Sequence, residues 1–413
     1  MGKTFVIFNL LLIPIIIYSI WPNYELETVT TADRIAYAGY SSETHTVWTP
    51  DGYGLTIFRI KKNSATKEKD PHATTTSSSA PVVLMMHGLT SSSDVWVIRN
   101  HSHNLAIELV DQGYDVWLGN SRGNSYGSRH LNYTTRDREF WRFSWHELGT
   151  IDLPTTIDYI LNETQQSGLH YIGHSQGTTI AMVMLTTQPE YNAKLKTTHM
   201  FAPISFMTSA RSLNLRLLSS ILGSYSPLNS LIGDREIFEP QFLRHLMGFQ
   251  RCRTKEANPR FCSFLSATFF GGYSTYVKES LYPELFNTHP SPASTHQALH
   301  FVQLHVSGKF RRYDYGSSGN QERYNQSTPP EYDLTKINTR FPFHLYYSDS
   351  DDYSSKADVE KLSEILGERC VKHFIDIDGF AHMDFAMAYN VEDVLNRDVV
   401  RIINEAEREL KSA

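Results

Sequence analysis

Short, fully apolar runs alternate with helix-spaced apolar stripes along most of this chain. Residues 82–86 are five consecutive apolar side chains, the pattern of a strand covered on both faces. Residues 104–112 carry helical spacing and stop at Gly113, a C-cap position. Residues 115–118 then read as a strand, 150–161 as a helix, 169–172 as a strand, 176–187 as a helix and 198–201 as a strand. This alternation predicts βαβ units, hence an α/β fold with a mostly parallel central sheet flanked by helices. The pattern resumes late, with strands at 343–347 and 371–375, a helix at 356–366 and a closing helix from about Val391. Ahead of it all, residues 43–49 and 55–60 flank Pro50-Asp51-Gly52-Tyr53-Gly54, which predicts a hairpin.

Between residues 204 and 315 the alternation fails. Ile237-Phe238, Phe242-Leu243 and Leu246-Met247, then Phe261, Phe264-Leu265 and Phe269-Phe270, recur at helical spacing. The chain therefore divides into a first core segment (22–203), a helical cap and lid (204–315) and a second core segment (316–413). Helices inserted into a parallel sheet sit over the strand ends, where such folds place ligands. Their apolar stripes either pack on the core or line a greasy pocket, and both readings stay open on the pattern alone. Residues 61–80 are rich in Ser, Thr and Lys with few apolar groups, a flexible surface insertion.

Composition adds limits. The 413 residues are 40% hydrophobic and 20% charged, a balance that can bury a large core. A net charge of −6 offers no basic excess to offset phosphate, which argues against a nucleic-acid partner. Lys3 precedes an apolar run over residues 5–20, so residues 1–21 read as a secretory signal peptide, with an uncleaved anchor as the alternative. Secretion agrees with four acceptor triplets for N-glycosylation, at Asn100, Asn132, Asn162 and Asn325. The cysteines are Cys252, Cys262 and Cys370. In an oxidising compartment the first two can close a small loop; in a reducing one all three pack as small hydrophobes.

The candidate chemistry centres on Gly173-His174-Ser175-Gln176-Gly177. The pentapeptide alone is common; its place between a predicted strand and a predicted helix is what a nucleophile elbow requires. A serine hydroxyl needs a base, and the base needs an orienting carboxylate. In this arrangement the chain order is nucleophile, acid, base. Ser348-Asp349-Ser350-Asp351-Asp352 and Gly379-Phe380-Ala381-His382 follow the two late strands, so Ser175, Asp351 and His382 form the candidate triad. Oxyanion donors are expected from the N–H of Gln176 and from the loop His87-Gly88-Leu89, at Leu89. No zinc-type His/Cys spacing and no dinucleotide fingerprint accompanies them, so neither metal nor organic cofactor is expected.

These motifs resemble the acid lipase family, the group that includes gastric and lysosomal acid lipases. The resemblance rests on Glu43-Thr-His-Thr-Val-Trp-Thr-Pro-Asp-Gly-Tyr-Gly-Leu55, His87-Gly-Leu89 and Gly113-Tyr-Asp-Val-Trp-Leu-Gly-Asn-Ser-Arg-Gly-Asn124. Phe140-Trp-Arg-Phe-Ser-Trp-His-Glu-Leu-Gly149, Gly173-His-Ser-Gln-Gly-Thr178, Ser307-Gly-Lys-Phe310 and His382-Met-Asp-Phe385 complete it, in order. It implies an α/β-hydrolase core with a helical cap and lid, acting on triacylglycerols or cholesteryl esters, often at acidic pH. Carried over by position, Ser175, Asp351 and His382 match the family triad and Leu89 and Gln176 its oxyanion donors. Cys252 and Cys262 fall where the family has a disulfide. Asn120 to Asn124 match a motif whose reading is structural. The chain departs from the family in lacking glycines just before Asp351, which leaves Asp349 and Asp352 as alternative partners for His382. The alternatives in function are an esterase for small soluble esters and a catalytically silent lipid-binding protein.

Overall fold

The computed structural model describes residues 29–62, 80–98, 104–226, 228–237, 249–254 and 256–412. The leader at 1–21, nearly all of the 61–80 insertion and Asn100 lie outside the described residues.

Among the described residues nine strands build one sheet: β1 (Tyr40–Trp48), β2 (Tyr53–Lys62), β3 (Val82–Met86), β4 (Asp115–Leu118), β5 (Arg129–His130), β6 (Leu169–His174), β7 (Leu195–Phe201), β8 (Phe343–Ser348) and β9 (Cys370–Ile375). The order is β1-β2-β4-β3-β6-β7-β8-β9, with β5 pairing to β2. From β4 to β9 every pairing is parallel; β1 and β2 form the antiparallel hairpin that turns at Asp51-Gly52.

Two apolar layers sandwich this sheet, and the period of two along each strand divides its side chains between them. In β3, Val82, Leu84 and Met86 enter one layer and Val83 and Met85 the other. The helices Leu153–Thr164, Gln176–Thr187 and Lys356–Leu366 cover the first face. Helices Leu105–Asp111 and Arg397–Ser412 cover the second. Burial on both faces is why β3 reads as an unbroken apolar run rather than as alternation.

Element boundaries move where the pattern is blind to geometry. The helix expected at 150–161 spans Leu153–Thr164, because Pro154 belongs in a first turn and a wider turn, Leu148–Asp152, leads into it. The closing helix begins at Arg397 after a similar wide turn, Glu392–Asn396; apolar spacing runs through both and cannot separate them.

Between β7 and β8 helices joined by loops replace the strand–helix alternation, including Leu213–Leu222, Pro259–Phe270, Tyr282–Thr288 and Thr295–Ser307. A disulfide joins Cys252 to Cys262, with Cα atoms 5.6 Å apart, while Cys370 is a free thiol at the start of β9. Asn132, Asn162 and Asn325 are exposed. No described helix is long and apolar enough to cross a membrane.

Candidate active site

Ser175 stands between β6 and the helix Gln176–Thr187 with φ +54° and ψ −119°, a region that side-chain-bearing residues rarely occupy. Such strain persists only where neighbours over-determine it. Here the Ser175 N–H donates to the Phe201 carbonyl at 2.9 Å, and its own carbonyl accepts from Thr178 N at 2.8 Å and Thr178 Oγ1 at 2.6 Å. Gly177 lets the elbow close: a Cβ there would meet the Met86 carbonyl oxygen at 2.6 Å. The hydroxyl is thereby carried on a rigid turn rather than on a loop.

The loop after β9 carries His382, and the loop after β8 carries Asp351. Their side chains meet, with Nδ1 of His382 2.7 Å from Oδ2 of Asp351. The other oxygen, Oδ1, accepts from Tyr353 N at 2.8 Å and Ser354 N at 2.9 Å, so the buried carboxylate has no freedom to turn. Of the three aspartates in this loop it is Asp351 that bonds the imidazole. Asp349 is exposed, with Lys356 3.9 Å away, and Asp352 faces Arg211 at 3.4 Å.

Further groups fix His382 from behind. His174 Nε2 lies 2.9 Å from the His382 carbonyl oxygen and must carry the proton it donates. Burial, reinforced by the His382 ring, pulls the His174 pKa down to about 3, so that ring stays neutral. The backbone N–H of His382 reaches the Gly271 carbonyl at 3.3 Å, and the same oxygen accepts from Asp352 N at 3.2 Å. Asp384 Oδ2 accepts from Ala381 N at 2.6 Å and Oδ1 from Ser274 Oγ at 2.6 Å. Burial pushes this carboxyl up to about 7. Gly271 and Ser274 come from the helical segment, so both late loops are tied to it. The sequence alone assigns these residues no role because their partners are remote; the adjacency of His174 to the serine and the place of Asp384 in the motif His382-Met-Asp-Phe385 were the signals.

The loop after β3 faces the serine. A Cβ on Gly88 would lie 3.0 Å from Ser175 Cβ and 3.4 Å from its Oγ. Leu89 follows, then Thr90 at φ +53°, whose carbonyl is held by Ser291 N at 2.7 Å. On the opposite side Gln176, first residue of its helix, has its side-chain oxygen bonded by Gln297 Nε2 at 3.2 Å.

Ser175, His382, Leu89, Ser91 and His289 all line one cavity of about 490 Å³. Leu215, Phe269, Phe270, Phe301, Val302 and Met207 make the rest of its wall largely apolar. A strained serine, an imidazole with its own carboxylate, and a backbone loop thus open onto a greasy space fit for acyl chains.

Comparison with known proteins agrees. Residues 31–100 match the family described as the partial alpha/beta-hydrolase lipase region, and residues 81–195 match the alpha/beta hydrolase fold. Lipase 3 of Drosophila melanogaster is 36% identical over 374 residues, covering 88% of this chain and 91% of that protein. Gastric triacylglycerol lipase of Bos taurus is 33% identical over 387 residues, covering 92% of each chain. A soluble variant of monoglyceride lipase from Saccharomyces cerevisiae superposes with a TM-score of 0.50 at 13% identity, covering 93% of this chain and 99% of that one, a likeness of fold. The chain belongs to the acid lipase family of α/β hydrolases and is a carboxylic-ester hydrolase of the lipase type.

Proposed function

We propose that the protein hydrolyses the ester bonds of neutral lipids, triacylglycerols or cholesteryl esters, through an acyl-enzyme on Ser175. The observation that carries this reading is that His382, held 2.7 Å from the buried Asp351, lines the same apolar cavity as the strained Ser175. Ser175 Oγ attacks the ester carbonyl as His382 takes its proton; Asp351 holds the ring and stabilises the imidazolium. The N–H groups of Leu89 and Gln176 receive the oxyanion. His382 then gives its proton to the leaving alcohol. Water, activated by the same ring, releases the fatty acid. None of these steps calls on a cofactor.

A lipid rather than a small soluble ester is favoured by the helix Leu213–Leu222. Its inner residues Leu215 and Leu222 are buried, while Leu213 and Ile221 are each 66% exposed. Leu217 and Leu218 on the same helix line the cavity. An apolar face beside the cavity mouth suits a lipid–water interface. The relatives named gastric triacylglycerol lipase point the same way. Passage through the secretory pathway, to the lysosome or the extracellular space, is supported by the Cys252–Cys262 disulfide, which needs an oxidising compartment, and by the exposed Asn132, Asn162 and Asn325.

The test compares purified wild type with Ser175→Ala on trioleoylglycerol, a cholesteryl ester and a short soluble ester, from about pH 4 to about pH 8. The expected result is long-chain hydrolysis that vanishes in the variant. The pH profile reports whether His382 stays neutral in acid. Equal activity in the two proteins overturns the mechanism, and preference for the short ester favours an esterase. Failure of a fluorophosphonate to label Ser175 in folded protein favours a silent lipid carrier.

A further inference from the structure

The loop His87-Gly88-Leu89 ends β3 beside Ser175, and nothing in the chemistry so far uses the side chain of His87. The ring is buried and stands between two sets of partners. Its Nε2 lies 3.2 Å from the backbone nitrogen of Ser121 and 3.1 Å from Nδ2 of Asn124. Its Nδ1 lies 2.8 Å from the carbonyl oxygen of Gly88.

The position of the ring proton follows from those partners. A backbone N–H can only donate, so Nε2 must accept from Ser121. The amide of Asn124 is oriented by an unambiguous donor as well: Tyr126 N bonds its Oδ1 at 2.9 Å, which turns Nδ2 toward His87. That Nδ2 also reaches Asn120 Oδ1 at 2.8 Å, and Asn120 Oδ1 is fixed by Ser93 N at 2.9 Å. Nε2 therefore faces two donors and cannot hold a proton. The proton is on Nδ1, and it is donated to the Gly88 carbonyl. Burial pulls the His87 pKa down to about 4, which keeps the ring in this neutral form.

That bond has a geometric consequence. The Gly88 carbonyl and the Leu89 N–H belong to one planar trans peptide and point in opposite directions. Fixing the oxygen toward His87 aims the Leu89 N–H away from it, to the side where Gly88 faces Ser175 and Leu89 lines the cavity. We infer that His87, locked in its Nδ1–H tautomer by Ser121 and Asn124, is the positioning residue that orients the Leu89 N–H for the oxyanion. The Asn120-Ser121-Arg122-Gly123-Asn124 segment acts as the lock on that tautomer. Thr90 gives the loop a reason to need one, since a β-branched residue at φ +53° would relax if released. This inference rests on the oxyanion role of Leu89 proposed above.

The test uses the full chain and a soluble p-nitrophenyl ester, so that interface binding does not enter. An Asn side chain can place an N–H near the Nδ1 position, a Gln side chain reaches the Nε2 position, and Phe keeps the volume with neither. His87→Phe and His87→Gln are expected to lose about 10²-fold in kcat with KM within about threefold, as when an oxyanion donor is lost. His87→Asn is expected to recover about tenfold of that loss. Urea midpoints taken alongside separate positioning from folding. Equal losses in all three variants, losses confined to KM, or wild-type kcat in His87→Phe overturn the proposal. If the Phe and Gln variants do not fold, the ring is read in 15N-histidine-labelled wild type: a proton on Nδ1 supports the proposal and one on Nε2 overturns it. Ser175→Ala distinguishes the two levels. If it retains turnover the catalytic reading itself fails, whereas an inactive Ser175→Ala beside a fully active His87→Phe sinks only the role of His87.

Discussion

Gly271 lies so close to His382 that a methyl group on it would sit 2.5 Å from the histidine Cβ. The glycine ends the helix Pro259–Phe270 at φ +90°, and its carbonyl receives the N–H of both Asp352 and His382. One peptide of the helical segment therefore spans the loops bearing the carboxylate and the imidazole of the candidate triad.

Gly271→Ala should consequently act on turnover more than its size suggests. The positive φ costs about 1–2 kcal/mol for an alanine, and the clash adds about 1–3 kcal/mol unless the loop moves. Movement displaces His382, so kcat on a soluble ester should fall at least about tenfold. A variant of normal kcat and normal urea midpoint would show that this contact has no bearing on catalysis.

The two neighbouring aspartates should separate cleanly. Asp351 holds the imidazole from a buried position, whereas Asp352 faces Arg211 at 3.4 Å. Asp351→Asn keeps the shape but loses the charge that stabilises the imidazolium, and kcat should drop by about 10³–10⁴. Asp352→Asn should cost less than about fivefold, in keeping with a partly exposed ion pair. Steady-state kinetics on both variants decide it; the reverse ranking would assign the role to Asp352.

How far the sequence foretold this site depends on the reach of each interaction. Ser175 was legible because its strain, its flanking glycines and its strand-to-helix setting are all local. His382 was legible through chain order. Asp351 was preferred by its match to the family position, but Asp349 and Asp352 stayed open, since three carboxylates in four residues differ only in which side of a turn each leaves. Burial and the N–H groups of Tyr353 and Ser354 make that choice, and they exist only once the loop is folded. The helical stripe at residues 261–270 signalled an apolar face but not which residues stay bare, because that is set by packing partners, and the stripe at residues 238–247 lies outside the described residues. Gly271, the role of Asp384 and the proton on His87 were invisible because packing partners set them too.

The exposed side of the helix Leu213–Leu222 should matter on lipid and not in water. Leu213 and Ile221 are exposed and lie outside the cavity wall. Replacing both with serine removes about 3–6 kcal/mol of possible burial in an interface. Hydrolysis of emulsified trioleoylglycerol should fall at least about tenfold, with soluble-ester turnover unchanged within about twofold. Parallel losses on both substrates would mean that the helix shapes the site rather than meeting the lipid.

Two buried groups should tilt stability against pH in opposite directions. Burial holds the Asp384 carboxyl at about 7 against its ordinary 3.8, so the folded chain keeps a proton that the unfolded chain releases. Its contribution is full below the unfolded value of 3.8 and is lost as pH rises through about 7. His344 does the reverse: burial first, then the neighbouring His373 ring, lowers it from 6.5 to about 4. Here the unfolded chain takes the proton first, so stability is full above 6.5 and is lost as pH falls toward about 4. Each shift amounts to roughly 3–4 kcal/mol across its window. Asp384→Asn, which keeps an acceptor for Ala381 N, should remove a contribution that falls with rising pH, so its urea midpoint should climb more, or fall less, than that of the wild type between about pH 4 and about 7.5. His344→Gln should do the opposite over the same range, its midpoint falling less than that of the wild type as pH drops from about 6.5 to about 4. Urea titrations of wild type and both variants at about pH 4, 5.5 and 7.5 read the slopes directly. The two windows overlap between about pH 4 and about 7 and their slopes offset each other in the wild type, so each residue is read as the difference between its variant and the wild type, and a variant whose slope equals that of the wild type removes that residue from the account.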